Sequence, residues 1–142
     1  MHFNMKTISI LFCLFLASST SYGQVQIKEI QYIDQKSLLT QIDTVIFIKG
    51  KNMGITIFRV NNGSGSAHLP ESDEVSHSFL ISVSEYDENP ESRLFSLGPF
   101  INPKLSSNKD MGESYSLQIS YGVNMQRKKN RLIIAFDSVQ LR

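Results

Sequence analysis

The chain has 142 residues, with 14 Lys or Arg against 13 Asp or Glu and a formal charge of +1 at neutral pH. A balance this even excludes whole-molecule attraction to nucleic acid, which needs a basic excess or a basic stripe to neutralise phosphates, so no nucleic-acid partner is expected. A single cysteine excludes an internal disulfide framework.

The first residues read MHFNMKTISILFCLFLASSTSYGQ. Lys6 precedes an apolar run over 8–17 and a small polar stretch over 18–23, the three-part layout of a secretory signal peptide. The apolar run, about ten residues, falls short of the roughly 20 that a membrane-crossing helix needs, so it reads as a leader and not as an anchor. Ser21 and Gly23 place small side chains before an expected cleavage after Gly23. Cys13 follows Leu11 and Phe12, whereas an acylation signal needs a small residue there, so no lipid anchor is expected. The mature chain, 24–142, then holds no cysteine, no disulfide and no thiolate ligand. Losing Lys6 leaves it with 13 basic and 13 acidic residues. A secreted or periplasmic location follows, with no transmembrane segment in the mature chain. Without staples the domain depends on burial alone, and about 120 residues suffice for one core.

Seven short segments rich in β-branched or aromatic residues predict strands at 25–33, 44–49, 55–60, 78–86, 93–97, 114–122 and 131–141. In SFLISVSE (78–85), Phe79, Ile81 and Val83 alternate with serines, with Leu80 the exception; SYSLQISY (114–121) repeats the pattern, so one face of each is expected to be wet. VIFI (45–48) and LIIAF (132–136) are apolar at consecutive positions and predict central strands covered on both sides. The best helical candidate, 34–42, is too short for more than one short helix. Turn-forming residues interrupt the runs at GKNMG (50–54), DENPES (87–92), GPFINPK (98–104) and NMQRKKN (124–130). The expected fold is all-β, an immunoglobulin-like β-sandwich of about seven strands forming a single domain over 24–142. A closed barrel would use similar strands, and the pattern does not separate the two.

DTVIFIKGKNMG (43–54) resembles the first β-hairpin of the immunoglobulin-like domains called IPT or TIG, a strand followed by a glycine, a polar residue, an asparagine and an apolar residue. Ile30 falls where that family has an apolar position before its loop. The resemblance implies an immunoglobulin-like fold and a role in binding or spacing, with no catalytic residues to carry over.

NNGSGSAHLPESDEVSH (61–77) predicts a long surface loop between two strands. Gly63 and Gly65 begin a phosphate-binding glycine pattern, but His68 takes the third glycine's place and Pro70 blocks the helix that would follow. His68 and His77, with Asp73 or its acidic neighbours Glu71 and Glu74, offer imidazole and carboxylate ligands to a zinc-like cation. The acidic turn over 85–91, with Glu85, Asp87, Glu88 and Glu91, offers oxygen ligands to calcium, although Asp, Asn and Pro90 explain the same stretch as a plain turn. The candidate metal ligands are therefore His68, His77, Asp73, Asp87 and Glu91.

QRKKNR (126–131) sets Arg127, Lys128, Lys129 and Arg131 at a hairpin tip, as contacts for an anionic glycan or lipid headgroup or as charges that keep an edge from pairing. Tyr115 and Tyr121 share the apolar face of their strand and read as core. Asn62-Gly63-Ser64 is an N-glycosylation sequon.

The mature chain offers no cysteine, no GxSxG and no HExxH, and its two histidines are its only imidazole bases. The expectation is an exported, non-catalytic module without a cofactor, acting by surface contact in adhesion, assembly or ligand binding. Its partner is a protein or glycan in the envelope or outside the cell. The alternative is a small secreted hydrolase or carbohydrate-binding protein whose site uses loop 61–77 and the turn 85–91.

Overall fold

The computed structural model describes residues 25–30, 35–64, 75–123 and 126–142. The expected leader lies outside them, as do His68 and Asp73. Nine strands and one helix follow in the order β1 (Gln26–Glu29), α1 (Gln35–Gln41), β2 (Ile42–Lys49), β3 (Met53–Ser64), β4 (Val75–Glu85), β5 (Ser92–Ile101), β6 (Lys104–Asp110), β7 (Ser114–Tyr121), β8 (Lys128–Ala135) and β9 (Val139–Leu141).

The strands form two antiparallel sheets, in the orders β1-β5-β4-β3-β2 and β6-β7-β8-β9. Neither closes into a barrel. Within each sheet, strands adjacent in sequence pair with one another, except that β1 adds to the far side of β5. The alternation read from the sequence sets which side chains turn inward. Ile55, Ile57, Phe79, Ile81, Val83, Phe95 and Leu97 from the first sheet join Tyr115, Leu117, Ile119, Leu132 and Ile134 from the second in one core cluster. Ile81, Val83, Leu97, Ile119, Leu132 and Ile134 have no exposed surface. Each such residue stabilises the fold by about 1.5–3 kcal/mol through the apolar area removed from water. Phe79, Phe100 and Tyr121 continue the cluster as tilted rings, with centroids 6.0 and 4.8 Å apart.

Two polar links hold the sheets together at their ends. Between the hairpins, the Lys51 amide donates to Asp110 Oδ2 at 2.7 Å, and the Gly112 amide donates to Asp110 Oδ1 at 2.8 Å. At the crossing from β5 to β6, Asn102 adopts a left-handed φ of 45°. Its amide donates to the Val75 carbonyl at 2.9 Å, and its Oδ1 accepts from the Val75 amide at 3.0 Å. The Gly122 amide donates to the Ile101 carbonyl at 2.7 Å, bringing the end of β7 to the same corner.

Among the described residues the strands number nine and not about seven, for two reasons. KLSSNKD (104–110) has one apolar residue, Leu105, and no β-branched or aromatic side chain, yet pairs with β7 as β6. The expected strand over 131–141 is broken by a turn at 136–138 into β8 and β9. Of the loop predicted over 61–77, residues 61–64 belong to β3 and 75–77 to β4, and the rest lies outside the described residues. VIFI is not a central strand: β2 is an edge, and its outward Val45 and Phe47 are 41% and 78% exposed. The hairpin expected over 43–54 is present as β2 and β3, with Lys49 opposite Gly54.

Candidate functional site

The sequence candidates separate into those that the fold employs internally and those that it presents. His77 is no loop residue: it lies on β4 opposite Asn61 and is 8% exposed. Its Nε2 is 3.1 Å from Asp43 Oδ2, and its Nδ1 is 3.3 Å from the Val75 carbonyl. Both neighbours are acceptors, so a neutral ring satisfies one contact and a doubly protonated ring satisfies both. Asp43 reaches this position because the β2–β3 register shifts between Ile42 and Thr44, leaving it out of the ladder. Arg59 on β3 donates from Nε to Asp43 Oδ1 at 2.7 Å.

Burial is the largest single influence on the Asp43 carboxyl and pushes its pKa up. The hydrogen bonds from Arg59 and Thr44 and the charges of Arg59 and His77 together outweigh it, holding the group below its ordinary value. Both nitrogens of His77 face oxygens of the protein itself, so the ring serves contacts within the fold. This cluster ties β2, β3 and β4 together.

Asp87 and Glu91 sit in the exposed turn after β4. Asp87 Oδ1 accepts from the Glu88 amide at 2.6 Å, and the Glu91 carbonyl accepts from the Glu85 amide at 3.2 Å. These are the bonds of a turn. Among the described residues, no three His, Cys, Asp or Glu side chains are grouped as a cation site would require. Asn62 lies on β3 and donates from Nδ2 to Ser78 Oγ at 2.9 Å.

The cationic run 126–131 divides in two. Arg127 is half-buried, and its guanidinium donates to the carbonyls of Gly122 (2.9 Å), Asn102 (2.8 Å) and Ser120 (2.9 Å). It completes the Asn102 corner and is not a free surface contact. The three residues Lys128, Lys129 and Arg131 are in β8, where alternation sends neighbours to opposite sides. Lys128 pairs with Tyr121, on the inward side of its strand; Lys129 pairs with Ser120 and Arg131 with Gln118, on the outward side.

The outward side of the four-stranded sheet is the candidate contact surface. Ser114, Ser116 and Gln118 of β7 line its floor. Lys109 rises on the β6 side, Lys129 and Arg131 on the β8 side, and Arg142 at the C-terminus, so short hydroxylated residues run between long cationic ones. The result is an open depression of about 930 Å³. Lys104, opposite Ser120, extends the basic surface by one more row. Among the described residues, no Asp or Glu lines the depression, and the ion pairs Arg59–Asp43, His77–Asp43 and Arg93–Glu29 lie in the other sheet. Positive charge is thus gathered on one face of a chain that is nearly neutral overall.

No family profile, curated protein or solved structure matches the chain. Its own geometry therefore carries the functional reading. Sequence reasoning found Lys129 and Arg131 but not Lys104, Lys109 or Arg142. These sit at separate places along the chain, and only the β6–β7–β8–β9 register brings them together.

Proposed function

We propose that this chain is an exported, non-catalytic β-sandwich module that binds an acidic polysaccharide on the outward face of its four-stranded sheet. The observation that carries the reading is the set of four cations, Lys109, Lys129, Arg131 and Arg142, around a serine-lined floor without a carboxylate. Cations attract the carboxylate or sulfate groups of such a chain. Serine hydroxyls and Gln118 supply the donors and acceptors that sugar hydroxyls need. An open depression admits a stretch of a polymer, whereas an enclosed pocket would select a small molecule. A glycan fits better than a lipid surface, because Met111 is the one large, well-exposed apolar side chain along this depression.

The layered architecture is supported by the single core that both sheets share. Export rests on the leader pattern of residues 1–23, and a surface-contact role agrees with the resemblance of 43–54 to IPT domains. No helix of the described residues is long and apolar enough to cross a membrane.

The test is retention on immobilised dextran sulfate and on immobilised polygalacturonate across a salt gradient. The wild-type protein should bind both and elute as salt rises, and K129E/R131E should lose about tenfold in affinity, as expected for removing and reversing two exposed charges. Equal retention of wild-type protein and K129E/R131E, or salt-independent retention, would overturn the proposal.

A further inference from the structure

The two sheets present four edge strands, β1 and β2 in one and β6 and β9 in the other. An edge exposes unpaired amides and carbonyls and invites another strand unless something blunts it. Three of the four are blunted. β1 is four residues long, exposed at every position, and carries Lys28 and Glu29. β9 is three residues long. β6 shifts register between Ser106 and Asn108 and carries Lys104, Lys109 and Asp110. β2 is less protected: its register shift lies at one end, between Ile42 and Thr44, its charges Asp43 and Lys49 flank the centre, and the five residues 44–48 between them read TVIFI, without charge, proline or glycine. Its outward Val45 and Phe47 are 41% and 78% exposed, while Ile46 packs partly and Ile48 fully into the core.

We propose that β2 pairs antiparallel with β2 of a second copy of this chain, about a twofold axis through Ile46. Antiparallel partners share a face, so only registers with an even residue sum keep outward residues opposite outward ones. With Ile46 on the axis, Val45 lies opposite Phe47 of the second copy, and Phe47 lies opposite its Val45. Moving the axis to Val45 sets Phe47 against Asp43, and moving it to Phe47 sets Val45 against Lys49. Only the register about Ile46 sets both outward apolar residues, Val45 and Phe47, against apolar residues of the second copy. Aromatic and β-branched residues directly opposite each other are a favourable cross-strand pair. The interface is isologous, so it closes at two copies and joins two five-stranded sheets into one. It lies on the other sheet from the basic face and is independent of that proposal.

The experiment uses the protein as recovered from expressing cells. Light scattering after size exclusion, at a concentration on the order of 100 µM suited to a small interface, should give twice the chain mass, and F47K should give a single chain with an unchanged thermal midpoint. In a C13S background, V45C alone and F47C alone should remain uncrosslinked under mild oxidation. A mixture of the two should form a disulfide-linked heterodimer, because positions 45 and 47 are opposite each other in the proposed register. A monomeric wild-type protein, an open series of larger assemblies, a dimer that F47K leaves intact, or a mixture that does not crosslink would each overturn the proposal.

Discussion

His77 Nε2 lies 3.1 Å from Asp43 Oδ2 although their strands are separated by β3, whose Arg59 donates to the other oxygen of the same carboxylate. One carboxylate therefore holds a cation from β3 and an imidazole from β4. At neutral pH, Asp43→Asn should lower stability by about 1 kcal/mol, since hydrogen bonds between charged groups are worth more than neutral ones but this one is partly solvated. Equilibrium urea unfolding measures it.

The same carboxyl makes the effect depend on pH. Its folded-state value lies below its ordinary value of 3.8. The unfolded chain therefore takes up the proton first as pH falls. The contribution is complete above 3.8 and disappears as pH drops through the lower folded value. The stability difference between the wild-type protein and Asp43→Asn should accordingly be present at neutrality and shrink as pH falls below 3.8. A difference that stays constant down to pH 2 would remove the role assigned to Asp43.

Arg127 and Lys129 are two residues apart and should respond differently. Arg127→Ala strands three carbonyls at the Asn102 corner and should cost about 2 kcal/mol, read as a lower thermal midpoint. Its polyanion affinity, measured below that midpoint, should stay within about twofold of wild type. K129E should show the reverse, with the midpoint within about 0.5 kcal/mol of wild type and weaker retention on dextran sulfate. K128E should retain binding better than K129E, because Lys128 leaves the other side of the strand.

Ile81 and Phe47 make a sharper contrast, since both are large apolar residues in strands of one sheet. Ile81 has no exposed surface, and Ile81→Ala should cost about 2–5 kcal/mol from lost burial and the cavity left behind. Phe47→Ser should stay within about 0.5 kcal/mol of wild type for the separated chain, because Phe47 is 78% exposed. Denaturant midpoints of the two variants check both statements.

The parts of the fold legible in the sequence are those where burial and alternation coincide. Phe79, Ile81 and Val83 face the core as their period of two requires, and Tyr115 and Tyr121 pack there as their neighbours Leu117 and Ile119 imply. β6 was not legible, because it is a strand by virtue of its partner: KLSSNKD has little propensity of its own, and pairing with β7 supplies the order. The edge position of VIFI was equally hidden, since consecutive apolar residues mark a doubly covered strand and an uncovered one alike. For the basic face, the run at 126–131 gave a signal in the wrong shape. Adjacent cations in a strand point apart, and the cations that share a face come from distant segments.

Alternation along β7 and β8 also separates two responsibilities that many proteins place on the same side chains. Tyr115, Leu117, Ile119, Leu132 and Ile134 keep the chain folded, while Ser114, Ser116, Gln118, Lys129 and Arg131, interleaved with them, meet the solvent. The outward set can thus be rewritten, to grip a different polymer or none, on a scaffold that registers little change.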